Sequence, residues 1–146
     1  MTNATFKTFG WPDTRIAELD HWGVALRPAQ PTLGSLVLIC KQPVRSFAEV
    51  DAAGMADLGR AVAGIEAMLR ATTGFEKINY LMLMMVDPDV HFHVIPRYAE
   101  PRSHGGESFA DHGWPGPPAL AQAATPSDAT RASLLALYRD GWARSV

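Results

Sequence analysis

Hydrophobic and polar positions alternate along "HWGVALR" and turn almost wholly apolar in "SLVLICK", and "PAQPTLG" separates the two. Two prolines and a glycine in that linker predict a turn, so Trp22 to Lys41 reads as a β-hairpin. The period then changes. Met55, Leu58, Val62, Ile65 and Leu69 recur at steps of three and four, which draws one apolar stripe along a helix. Ser46 and Glu49 in "SFAE" have capping-box spacing at its start, and Gly74 stops it. Such a stripe packs on a sheet.

"KINYLMLMMV" is apolar on both faces, the pattern of a central strand. "DPD" is turn chemistry, and "VHFHVIPRY" predicts the next strand. Upstream, "WPDTRIAEL" predicts a short helix, with Pro12 early and Asp13 near its cap. Beyond Tyr98 the chain is rich in glycine and proline, and only "ESFAD" reads as a short strand. A last helix fits Pro126 to Gly141, with Thr125 as cap, Asp128 three residues on, and Leu134, Leu137 and Tyr138 facing inward. Hairpins force antiparallel pairing. The expected architecture is α+β: one antiparallel sheet of about five strands, a long helix on one face and a C-terminal helix.

The chain has 146 residues, which suits a single domain over 1–146. A net charge of −2 gives no general pull toward a nucleic-acid polymer or an anionic membrane, so a small anion must be held by local groups. Cys40 is the one cysteine, which excludes an internal disulfide, and its place in "LVLICK" makes it a core residue. No basic patch followed by an apolar core opens the chain, and no apolar run reaches the ~20 residues that span a bilayer. A cytoplasmic protein is expected.

Candidate chemistry lies in "DVHFHVIPR". Side chains alternate faces along a strand, so Asp89, His91 and His93 share one face while Val90, Phe92 and Val94 share the other. The apolar set is expected under the long helix and the polar set on the open face. One imidazole can act as nucleophile or base while its neighbours fix its tautomer. The set can instead hold a phosphate. It can also bind a metal through Asp89, His91 and His93, with His104 as a further ligand. Two histidines on a solvated sheet face are the plain alternative. His21, His104 and His112 read as surface residues, Trp114 as an anchor for the glycine-rich segment, and Arg97 and Arg102 as surface charges that can counter a phosphate.

The run "DVHFHVIPR" resembles the signature of the histidine triad (HIT) family, three histidines alternating with hydrophobic residues and often followed by Pro-Arg. The likeness extends over the hairpin and the long helix, from Trp22 to Tyr98. It implies a homodimeric nucleotide hydrolase or transferase that acts on a small nucleotide without a metal or other cofactor. His91 takes the place of the nucleophile that attacks the α-phosphate of a nucleoside phosphoramidate or dinucleoside polyphosphate and forms a nucleotidyl-histidine. His93 takes the place of the phosphate contact.

Asp89 falls on the first histidine, where the sequence departs from the pattern. It can orient His91 by accepting from the ring. A carboxylate ~5 Å from an incoming phosphate also repels it by about 3 kcal/mol at an effective dielectric near 20, unless it turns away. "KQPV" stands where many members have a fourth histidine, and "LMLMMVDP" lacks the usual polar phosphate-holding groups, leaving Asn79 as the nearest polar candidate. The first hairpin offers Arg27 and Gln30 where members often carry an acid for the ribose. The same residues therefore also suit a nucleotide-binding protein with weak or lost catalysis.

Overall fold

The computed structural model describes residues 3–145. Five strands form one antiparallel sheet: β1 (Arg15–Glu18), β2 (Trp22–Leu26), β3 (Leu36–Cys40), β4 (Lys77–Leu81) and β5 (His91–Arg97), in the order β1-β2-β3-β5-β4. Two short strands, β6 (Arg102–His104) and β7 (Glu107–Phe109), make a separate ribbon. The helices are α1 (Ala4–Thr8), α2 (Ala52–Thr73) and α3 (Asp128–Ser145). This is the expected α+β architecture. None of these helices is long and apolar enough to cross a membrane.

Alternation along the strands sorts the sheet into two faces. Val24, Leu26, Leu36, Leu38, Cys40, Val90 and Val94 meet Ile65, Met68 and Leu69 of α2 in the main core. Gly74 caps α2 with φ 59°, in the left-handed region where a side chain is costly. The helix begins later than the capping box suggests. Ser46 opens a short 3-10 turn with no side-chain cap, Val50 is extended, and Asp51 caps α2 by accepting from the Gly54 N–H at 2.8 Å. Leu134 and Tyr138 of α3 are fully buried, and Ser127 rather than Thr125 caps that helix, accepting from the Thr130 N–H at 3.2 Å.

Two elements differ from expectation. "WPDTRIAEL" supplies β1, not a helix: Arg15 to Glu18 pair with β2, which outweighs the local helix signal. The only short helix near the N-terminus among the described residues is α1. Asn3 caps it, accepting from the N–H groups of Thr5 and Phe6. Phe6 packs on Val37 and Ile39, the face of the sheet that α2 does not cover. A Cβ at Gly23 would fall 2.5 Å from the Phe6 ring, so the close seat of α1 requires glycine there.

The strand read from "KINYLMLMMV" ends at Leu81 and is an edge, not a central strand. Met84 adopts φ 52°, which breaks the extended path, and the chain runs on as a loop to Asp89. Met82 and Met84 still pack on the core, but Met85 and Val86 face solvent, 87% and 90% exposed.

Candidate active site

β5 carries both histidines to one face. His91 stands opposite Ile39 and His93 opposite Val37, and their ring centroids are 5.3 Å apart. Val90 and Val94 lie in the core on the other side. The division of the strand into a chemical face and a packing face holds.

That chemical face is not open. His91 is buried, and so is His93. Phe9, just past α1, lies over them, its ring 5.7 Å from His93 and 6.2 Å from His91. Phe9, Arg27, the loop from Leu83 to Asp87, His91 and His93 line a cavity of about 230 Å³. Sites that bury a whole drug-sized ligand run to roughly 300–1,000 Å³, so this space suits the phosphate end of a nucleotide rather than all of it.

His91 Nδ1 lies 2.6 Å from the backbone carbonyl of Asp89. A carbonyl only accepts, so Nδ1 carries the proton and the Nε2 lone pair of the neutral ring is left free. The orienting group is thus the Asp89 backbone. The Asp89 side chain does not serve that purpose: it is buried and accepts from Thr5 Oγ1 at 2.9 Å. The expected carboxylate–imidazole contact is replaced by a carboxylate–hydroxyl contact to α1. The same turn removes Asp89 from any metal set, and no group of three His, Cys, Asp or Glu side chains suited to hold a metal occurs among the described residues.

His93 stays neutral. Burial, then the nearby Arg27 guanidinium and His91, push its pKa down to about 4, against a smaller opposing pull from Asp87. Its Nδ1 is buried and has no hydrogen-bond partner.

Other residues singled out by sequence lie elsewhere. Asn79 accepts from Arg97 Nη1 at 2.8 Å and faces a second cavity of about 560 Å³ with Lys77, Arg97 and Trp114, away from the residues that line the histidine cavity. Its position gives the phosphate role no support. Arg97 is not a surface charge. It is buried and forms two bonds to Asp111, at 2.7 and 3.0 Å. His21 is only half-exposed, held 2.9 Å from Asp57. Arg102 lies over the Tyr98 ring at 4.6 Å. His104 bonds Ser133 at 2.9 Å and is not beside His91. Gln30 is buried in the hairpin turn, donating to the carbonyls of Arg27 and Ser35.

Sequence reasoning overlooked Thr5 and Phe9. The signal was present in "NATFKTF": a capping Asn3 and two phenylalanines three apart. Nothing local told which face of the sheet those rings would cover.

No family model matches the chain, and no curated protein matches it. Solved structures do. A histidine triad protein from Sinorhizobium meliloti 1021 superposes with a TM-score of 0.76 at 21% identity, over 97% of this chain and 96% of that one. One from Bradyrhizobium japonicum gives 0.74 at 18% identity, over 97% and 96%. One from Marinobacter aquaeolei VT8 gives 0.72 at 19% identity, over 90% of each. The chain has the histidine triad fold: the five-stranded sheet, the long helix and the C-terminal helix correspond.

Proposed function

We propose that this protein is a nucleotide hydrolase or nucleotidyl transferase that acts at the α-phosphate of a nucleoside phosphoramidate or dinucleoside polyphosphate. One observation carries the reading: His91 is held by a carbonyl through Nδ1 inside a cavity, which leaves Nε2 as a nucleophile in the correct tautomer. Nε2 attacks phosphorus, the N–P bond forms and the bond to the leaving group breaks. Water then cleaves the nucleotidyl-histidine and restores the ring. His93, neutral beside it, contacts the phosphate oxygens. Asp89 acts through its backbone as a positioning residue.

The test is incubation with adenosine phosphoramidate. Release of AMP, with a nucleotidyl adduct on His91 in rapidly quenched protein, is expected. Activity that survives His91→Ala would exclude His91 as the nucleophile.

The cover of Phe9 and the absence of polar side chains in Leu81–Val86 favour a second reading, a nucleotide-binding protein with weak turnover. Under it, AMP stabilises the fold by about 2.7 kcal/mol at 100 times its Kd, while phosphoramidate is not cleaved. The metal-dependent alternative has lost its third ligand to Thr5.

The exposed Leu83, Met85 and Val86 beside the β4 edge support a homodimer, to be measured by light scattering on the eluting protein. The lone buried Cys40 fits a cytoplasmic setting.

A further inference from the structure

Arg27 is an unexplained cation in the site. It follows β2 and continues its register, with its N–H bonded to the Ser35 carbonyl at 3.0 Å. Ala25, Val37 and His93 stand opposite one another across β2, β3 and β5. Two residues beyond Ala25, Arg27 therefore projects from the face that carries His93. It lines the same cavity as both histidines.

Its charge has no ion-pair partner among the described residues, although the Asp87 carboxylate lines the same cavity. Nη1 donates to the Ala29 carbonyl at 2.7 Å, while Nε is buried with no partner. Arg97, by contrast, has Asp111 and Arg15 has Glu18. A guanidinium does not shed its proton to escape burial, and it binds phosphate through a planar fork of donors. A buried donor without a partner is costly, so such a group calls for an anion from outside the chain.

An anion on Arg27 need not be the one His91 attacks. The β3 strand intervenes, and two strand spacings of about 4.8 Å plus two residues of rise separate the backbone of Arg27 from that of His93 by on the order of 12 Å. Arg27 thus approaches the cavity from the β2 side, and the histidines from the β5 side.

We infer that Arg27 forms a second phosphate subsite, so that the protein selects nucleotides bearing two phosphate groups over monophosphates. This rests on the nucleotide reading above. The second phosphate is either linked to the reacting one or carried on the ribose. Both present anionic phosphate oxygens to the guanidinium.

Calorimetric titration of the full chain with AMP, ADP and adenosine 3′,5′-bisphosphate tests it. Wild type is expected to bind ADP or the bisphosphate at least tenfold more tightly than AMP, and the favoured arm identifies where the second phosphate sits. In Arg27→Met that ratio falls below threefold. Arg27→Lys, which keeps the charge, retains an intermediate ratio and serves if the methionine variant does not fold. A wild-type ratio near one, or a tenfold ratio that persists in Arg27→Met, overturns the subsite while leaving the nucleotide reading intact. Failure of AMP and both other nucleotides to bind overturns both.

Discussion

The backbone carbonyl of Asp89 accepts from His91 Nδ1 at 2.6 Å, while the carboxylate of the same residue points to Thr5. Backbone and side chain of one residue thus serve different elements. The consequence separates orientation from side-chain identity at position 89. Asp89→Asn keeps the carbonyl, so AMP release from adenosine phosphoramidate should stay within about tenfold of wild type, whereas His91→Ala should abolish it. Asp89→Ala should cost the fold about 1.5–3 kcal/mol in urea unfolding, since it removes a buried hydrogen bond to a charged group. Asp89→His, which completes three histidines, should give no large gain in rate, because the side chain at this position faces α1 rather than the cavity. A gain of a hundredfold would show that the replaced residue, not the cover, limits the site.

His93 predicts a pH-dependent loss of stability. Its pKa in the fold is about 4, depressed from 6.5 chiefly by burial. The unfolded chain therefore binds the proton more readily. The contribution is fully present above pH 6.5 and is lost as pH falls from 6.5 toward 4. At 1.36 kcal/mol per pKa unit it amounts to on the order of 3 kcal/mol. The difference in unfolding free energy between wild type and His93→Asn, measured from pH 7 to 4, should shrink by that order across the window. A constant difference would show that His93 does not carry the effect.

The legible part of this fold is the part written in periodicity. Ile65 and Leu69 of α2, and Val90, Phe92 and Val94 at and before β5, pack together because spacing assigns their faces, whereas Met55, on the same stripe, lies at the exposed start of the helix at 43% exposure. The pairing of β1 with β2 was hidden, because "TRIAEL" is weakly helical locally and becomes a strand only when Arg15 to Glu18 find a partner edge. In the site, the shared face of His91 and His93 follows from a period of two. The roles of Asp89 and Asn79 do not. Each side chain reaches a partner far along the chain, Thr5 and Arg97 respectively, and such contacts leave no periodic trace.

The Arg97–Asp111 pair ties the β5 end to the glycine-rich segment. Both side chains are buried, with 5% and 1% exposure. Burial alone would raise the Asp111 carboxyl, but the Arg97 guanidinium and the Tyr98 and Gly113 N–H groups together outweigh it and the net shift is downward. Asp111→Ala leaves an uncompensated buried guanidinium, which should destabilise by about 3–5 kcal/mol in denaturant unfolding. Asn79→Ala, which removes one acceptor from the same guanidinium, should cost less, about 1–3 kcal/mol, and leave the KM for adenosine phosphoramidate unchanged. A severalfold rise in KM would return Asn79 to the phosphate site.

Phe9 decides access to the histidines. Its ring packs edge-on against His93 at 5.7 Å, and it shares the cavity wall with Leu83, Met84 and Met85. The space it leaves, about 230 Å³, is too small for a whole nucleotide. The base and sugar must then lie outside this ring or displace it. Phe9→Ala should widen the entrance, and the rate at which diethyl pyrocarbonate modifies His91 and His93, followed by peptide mass spectrometry, should rise severalfold. His21 and His112, remote from the cavity, should be modified at an unchanged rate and serve as internal references. The same variant should lose stability by about 2–4 kcal/mol if the phenylalanine is also an anchor of α1, and by little if Phe6, fully buried on Val37 and Ile39, carries that anchoring alone. A modification rate unmoved by Phe9→Ala would place the control of access in the Leu83–Asp87 loop instead, since that loop lines the same cavity.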